Sequence, residues 1–277
     1  MASSTERVPA DDGVELLVRR WPAQSTPAWS TVLIVHGIAE HSGRYEHVGD
    51  RFAGAGATVV SYDQRGFGAS DGQRAYVETW DRVHDDLEGR LAAARGESGG
   101  RPVAIYGHSL GGLISLGYGL TDRPQPDGLV LSAPAIDASI PAWQRVAVRG
   151  LGAVAPRAKV GNCIDGAVLS RDPAVGERYI ADPLTVHSTT ARFALSAFGE
   201  QERVRAALDR LAVPTLVIHG GDDRLVPTAS SERLARLPGV TRRVYPGLRH
   251  EVHNEPEGLE VVDDVAAWLR LTLGSGD

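Results

Sequence analysis

The apolar positions of the chain fall into two rhythms that alternate along most of its length. Thr31 to Val35 is an unbroken run dominated by β-branched residues, as a strand covered on both faces requires. Comparable runs at Ala57–Tyr62, Val103–Tyr106, Asp127–Ser132, Thr215–His219 and Thr241–Tyr245 predict five further strands. Between them, Tyr45, Val48 and Phe52 recur at helical spacing and predict a helix at about 44–55. Trp80, Val83, Leu87 and Leu91 mark one face of a second helix, and Gly112 to Leu116 open a third. Further helices are predicted near 201–211 and after Pro227. A last one runs from Asn254 to about 272, with Leu259, Val262, Val265 and Leu269 as its buried face. Asn254, Pro256 and Glu257 read as its capping signal. Gly13 to Trp21 alternates loosely and reads as an edge strand.

Strands alternating with helices imply parallel pairing through right-handed crossovers. The expected class is therefore α/β, with a mostly parallel central sheet flanked by helices. In such sheets ligands bind beyond the carboxyl ends of the strands. The loops after Val35, Tyr62, Tyr106, Ser132, His219 and Tyr245 should then surround one site. The rhythm breaks after Pro134. From about 135 to 200, Ile140, Trp143, Val146, Val148, Leu151 and Val154 come with Pro, Gly and short helical pieces. This stretch reads as a helical cap, leaving residues 1–134 and 201–277 as the core. Its apolar residues suit either a small core of its own or the lining of an acyl channel.

The bulk numbers alter little. A chain of 277 residues fits one large α/β core with an insertion. A net charge of −6 argues against a general nucleic-acid binder. Cys163, the single cysteine, excludes an internal disulfide and a cysteine-based zinc cage. Residues 1–30 show no basic start followed by an apolar stretch, and no run reaches ~18 apolar residues. A soluble cytoplasmic protein is expected, with peripheral membrane contact left open.

Chemistry concentrates at Gly107-His108-Ser109-Leu110-Gly111. Alone, Gly-x-Ser-x-Gly is a weak pattern. Between a strand and a helix it predicts a nucleophile elbow, a sharp turn that lifts the serine hydroxyl clear of the sheet. That hydroxyl needs a base. In the order Ser…Asp…His the base belongs in the loop before the last helix, where His250 and His253 compete, and position favours His250. His41, His47, His84 and His187 read as loop or helix-surface residues. The loop Gly220 to Pro227 offers Asp223 as the orienting carboxylate, with Asp222 as a turn-former and Asp137 as a more remote alternative. The expected oxyanion donors are the N–H groups of Leu110 and of Ile38, the latter in the His36-Gly37 loop. Asp63 and Arg65 are read as loop-fixing residues, and His36 with His41 does not make a zinc spacing.

At these residues the chain resembles the α/β-hydrolase fold, and within it the monoacylglycerol lipase and lysophospholipase group. The resemblance rests on His36 to Tyr45 (HGIAEHSGRY), Asp63 to Ser70 (DQRGFGAS), Gly107 to Gly112 (GHSLGG) and Ser132 to Pro134 (SAP). Ser170 to Pro173 (SRDP), Asp182 to Leu184 (DPL), His219 to Pro227 (HGGDDRLVP) and Tyr245 to His250 (YPGLRH) extend it across nearly the whole length. It implies a triad of Ser109, Asp223 and His250, with Ile38 and Leu110 as oxyanion donors. It also implies a glycerol pocket at Glu40, Arg44 and His253. The cap would supply an acyl tunnel, with Ile140, Val154, Ile164, Leu169 and Phe198 as candidates. The implied reaction is hydrolysis of monoacylglycerols through an acyl-enzyme, with no metal and no cofactor. The implied partner is a small lipid ester; transient membrane-surface contact through the cap is left open. A broad carboxylesterase or lysophospholipase is the alternative, and a non-catalytic binding protein is disfavoured by the complete triad. Two features depart from the group. The second loop reads Asp63-Gln64-Arg65 where animal members carry a histidine, and the cap sequence is its own, so acyl-length preference does not carry over.

Overall fold

The computed structural model describes residues 3–137, 142–161 and 164–274. Ten strands and seven α-helices are described: β1 (Ser4–Pro9), β2 (Glu15–Trp21), β3 (Thr31–Val35), α1 (Glu46–Gly54), β4 (Thr58–Tyr62), α2 (Asp81–Glu97), β5 (Val103–His108), α3 (Leu110–Gly119), β6 (Gly128–Ser132), α4 (Ala142–Val154), β7 (Lys159–Gly161), α5 (Pro173–Ala181), β8 (Ser188–Thr190), α6 (Ala191–Ala207), β9 (Thr215–Gly220), β10 (Val240–Tyr245) and α7 (Gly258–Leu273). Eight strands form one sheet in the order β1-β2-β4-β3-β5-β6-β9-β10. The pairs from β4 to β10 are parallel, and only β1–β2 and β2–β4 are antiparallel.

The unbroken apolar strands are explained by two cores, one on each face of the sheet. Leu33 and Val35 of β3 point into one, with Ile105 of β5 and the buried faces of α2 and α3. Val32 and Ile34 point into the other, with Tyr106, Phe52 of α1 and Val265 of α7. Alternate residues of one strand thus serve opposite cores, so no polar face remains.

Several expectations need correction. The edge strand is β1, not the segment at 13–21; β2 lies between β1 and β4. The last helix starts at Gly258, because Val252–Asn254 closes a separate 3-10 turn. Leu259 is 44% exposed and leaves the buried face to Val261, Val262, Val265 and Leu269. The segment after Pro227 is a 3-10 helix, Thr228–Arg236. No separate helix starts near 201. Instead α6 runs unbroken from Ala191 to Ala207, started by Thr190, whose hydroxyl accepts from Phe193 N. Besides helices, residues 135–200 carry a small antiparallel ribbon, β7–β8. In that stretch α5 is set by local chemistry: the Asp172 carboxylate accepts from Ala174 N and Pro173 fills the first helical position. His84 is buried, with Nε2 3.4 Å from Glu200 of α6, and His41 is buried as well, whereas His187 is exposed. No described helix is long and apolar enough to cross a membrane.

Candidate active site

β5 hands over to α3 at Ser109, which adopts φ 52° and ψ −112°. A non-glycine residue held there costs about 1–3 kcal/mol. It is fixed by Ser109 N donating to Ser132 O at 2.8 Å and by Ser109 O accepting from Leu113 N and Ala135 N. The flanking glycines permit the close crossing. A Cβ on Gly107 would stand 2.4 Å from Gly111 O, and one on Gly111 would stand 2.0 Å from Val35 O.

Two turns at the far strand ends bring the other partners. Asp222 N donates to Leu248 O and Gly221 N to Tyr245 O, which stitches the turn after β9 to the turn after β10. Across that seam His250 Nδ1 lies 2.7 Å from Asp223 Oδ2. The carboxylate's other oxygen accepts from Leu225 N and Val226 N. Burial works to raise the Asp223 pKa, but hydrogen bonds from His219 and His250 outweigh it and hold the carboxyl well below its usual range. With Nδ1–H committed to Asp223, the His250 Nε2 is left as the base; this tautomer is assigned from the partners. Ser109 and His250 both line one small cavity. Asp222 is exposed, and Asp137 is 59% exposed beside Arg145. His219, absent from the sequence reading of the triad, places Nε2 3.2 Å from Asp223 Oδ2.

The loop after β3 is equally constrained. His36 Nε2 accepts from Gln64 N and Gln64 Nε2 donates to His36 O, so Gln64, the point of departure in the second loop, clamps this strand end. Asp63 accepts from Ser42 N and Ala69 N, and Arg65 grips Asp86 with two bonds of 2.6 Å, so both fix loops as expected. Gly37 N donates to Glu40 Oε1 at 2.5 Å. That leaves the next N–H, on Ile38, free of this carboxylate. Leu110 opens α3, so its N–H has no acceptor within the helix.

Glu40 belongs to a buried network. Its Oε1 also accepts from Tyr45 OH, and its Oε2 from Arg44 Nη1 at 2.5 Å. Arg44 then makes a two-pronged contact with Glu251, which the sequence reading missed. Glu40 and Glu251 line the small cavity at Ser109. Arg44 and His253 do not; they line a separate surface cavity of about 400 Å³ with His41 and Arg178, because the guanidinium is pinned behind the two carboxylates. The His253 ring stacks on Tyr45 and meets the His108 ring edge-on at a centroid distance of 4.8 Å. Burial, then the proximity of His250, brings the His108 pKa down to about 3, so this ring stays neutral beside the base.

On the other side of Ser109 lies an apolar cavity of about 740 Å³. Ile38 and Ser109 stand at its base, and Leu113, Val148, Leu151, Phe193 and Phe198 form much of its wall. Ile164 lines both cavities, and Leu169 lines the small one. Val154 is not on either wall: it is 83% exposed on α4. Ile140 lies outside the described residues. Among the described residues no group of three or more His, Cys, Asp or Glu side chains could hold a metal; His36 and His41 serve separate partners, Gln64 and Asp182.

A family described as serine aminopeptidase S33 matches residues 26–257. The chain belongs to that family. A monoacylglycerol lipase of Mycolicibacterium smegmatis is 39% identical over 267 residues, covering 93% of each chain. The monoglyceride lipase of Homo sapiens is 32% identical, covering 93% of this chain and 88% of the human one. The crystal structure of Paleococcus ferrophilus monoacylglycerol lipase superposes with a TM-score of 0.85 at 30% identity, covering 93% of this chain and 99% of that one. This S33 member is thus an α/β-hydrolase of the monoacylglycerol lipase type.

Proposed function

We propose that the chain hydrolyses monoacylglycerols to glycerol and free fatty acid through an acyl-enzyme on Ser109. The observation that carries this reading is the inequality of the two cavities that share Ile38, Ser109, Ile164 and Leu225. One is apolar, at about 740 Å³, and suits a single acyl chain. The other is narrow, with a volume of about 10 Å³, and is faced by Glu40 and Glu251, so it gives no place to a second chain and its polar lining marks the alcohol side of the ester.

The steps follow from the geometry. Ser109 Oγ attacks the ester carbonyl while His250 Nε2 takes its proton, and Asp223 stabilises the imidazolium. The carbonyl oxygen, now negative, is met by the N–H groups of Ile38 and Leu110. The C–O bond to glycerol breaks, and His250 returns the proton to the departing oxygen. Water then attacks the acyl-enzyme with His250 again as base, releasing the fatty acid and restoring Ser109.

Residues 135–200 act as the cap over this site, with Phe198 and Ile164 on the acyl side, and Leu169 nearer the alcohol. Glu40 faces the alcohol, Arg44 holds it in place from behind, and His253 supports the Tyr45 side of the network. On α4, Trp143, Val146 and Val154 are 67–83% exposed at helical spacing and form the face that would meet a lipid surface in a cytoplasmic, peripherally bound enzyme. The test is a panel of monoacylglycerols, a lysophospholipid, di- and triacylglycerols and short esters. Monoacylglycerols should give the highest kcat/KM, and Ser109→Ala should abolish turnover. Preference for the lysophospholipid or the short esters would overturn the assignment.

A further inference from the structure

His219 sits near the end of β9 and is wholly buried. Its Nε2 lies 3.2 Å from Asp223 Oδ2 and 3.0 Å from Val226 O. Both neighbours are acceptors, so Nε2 carries a proton; this tautomer is assigned from the partners. On the far side of the ring, Nδ1 lies 3.0 Å from Ser231 Oγ. That oxygen also lies 3.0 Å from Thr228 O and accepts from Arg242 Nε. Thr228 O already accepts from Arg242 Nη2, which frees the Ser231 hydroxyl hydrogen for His219 Nδ1. A line of bonds thus runs from Arg242 on β10 through Ser231 and His219 to the carboxylate that serves His250.

The two histidines share one oxygen. Asp223 Oδ2 meets His250 Nδ1 at 2.7 Å and His219 Nε2 at 3.2 Å, while Oδ1 takes Leu225 N and Val226 N. A donor on a carboxylate oxygen draws negative charge away from whatever else that oxygen serves. His219 lines neither cavity at Ser109, so it acts on the reaction only through Asp223. The other titratable groups around His250 are the His108 ring, 4.8 Å away between centroids, and Glu251, whose oxygens Arg44 holds.

We propose that His219 is a positioning residue for the catalytic pair: its N–H fixes Asp223 Oδ2 on His250 and tempers that oxygen's charge, so that the imidazolium formed in each step is held less tightly. It rests on the reading of His250 as the base and is independent of which ester is cleaved.

The test follows kcat/KM on a short p-nitrophenyl ester from about pH 5 to pH 9 for wild type, His219→Leu and His219→Gln. Without the second donor, Asp223 holds the imidazolium more strongly, so the acid limb of His219→Leu should move to higher pH by about half to one unit. The loss is then about three- to tenfold on the acid side and under twofold on the alkaline plateau. His219→Gln, which keeps an N–H on that side, should bring the limb back to the wild-type position. Equal loss at all pH values, an unmoved limb, or a Gln variant that shifts as the Leu variant does overturns the proposal. In wild type labelled with ¹⁵N-histidine, the His219 proton should reside on Nε2; a proton on Nδ1 alone overturns it without any variant. The two readings fail separately. If Ser109→Ala or His250→Ala keeps turnover, the functional reading falls; if both abolish it and His219→Leu keeps the wild-type profile, only the His219 assignment falls.

Discussion

Arg44 and Glu251, 207 positions apart in sequence, meet through two hydrogen bonds of 2.7 and 2.8 Å. Since Arg44 also holds Glu40, and Glu40 holds Gly37 N, this pair ties the turn bearing His250 to the loop bearing Ile38. One cation stands between two buried carboxylates, and that asymmetry sets the rank of the mutations. Arg44→Leu leaves the carboxylates facing each other and should cost about 3–5 kcal/mol or more. Glu251→Leu leaves a balanced pair with an unmet guanidinium N–H and should cost about 1–3 kcal/mol. Urea denaturation reads both, and the reverse order would refute the network as described.

The same pair predicts an acid limb in stability. Burial works to raise the Glu251 pKa, but the Arg44 guanidinium overrides it and holds the carboxyl below the usual value of 4.5. A depressed folded-state pKa contributes stability that is complete above the ordinary glutamate pKa and is lost as pH falls toward the folded value. Wild type should therefore lose more stability than Glu251→Gln between about pH 5 and pH 3. Parallel melting curves for the two proteins across that window would contradict this.

Asp223→Asn keeps the shape of the turn after β9 and removes the charge that fixes the His250 tautomer. Its kcat should fall on the order of 10³–10⁴-fold with KM little changed. A loss under tenfold would mean that another carboxylate orients the base.

Ala197 lies on α6 at the wall of the apolar cavity. Ala197→Trp should shorten that chamber. The acyl-length optimum measured over a monoacylglycerol series should move to shorter chains, while turnover of the shortest members is retained. An unchanged optimum would place the acyl chain elsewhere.

Glycines separate packing from permissiveness. Gly111→Ala drives a methyl into Val35 O and should prevent folding, read as loss of soluble protein. Gly89, within α2, has nothing within 4 Å of an added Cβ. Gly89→Ala should stabilise by about 0.5–1 kcal/mol, visible as a raised melting temperature.

The strands of the parallel core were legible because burial on both faces leaves an unbroken apolar signature. The pairing of Asp223 with His250 was legible because chain order and strand ends narrow the choice to Asp222 or Asp223 in one turn and His250 or His253 in the other. β1 was not legible, since its segment Ser4–Pro9 is almost wholly solvated and holds its place through backbone pairing with β2. The start of α7 was misread because Asn254, Pro256 and Glu257 imitate a capping sequence, whereas Asn254 spends its side chain on Glu251 and Glu255 accepts from Arg249 N. Glu251 escaped notice because an acidic residue at an unremarkable spacing acquires meaning only when distant segments place it beside Ser109.

Helix α6 fastens one flank of the roof to the body of the protein. At its start the Thr190 hydroxyl donates to Ala75 O at 2.7 Å; further along, Gln201 Nε2 donates to Ala135 O at 2.8 Å and Glu200 faces His84 of α2. α4, which carries the exposed Trp143 and Val146, is joined to α6 through Arg149 and Glu202 and through Arg145 over the Phe198 ring, contacts nearer the surface than those of α6 with the body. On the proposed reading, the acyl chamber works like a door hung along α6, with α4 as the more yielding leaf. Amide exchange should be slower along α6 than along α4, and a long chain gains its extra room from the leaf rather than from the hinge.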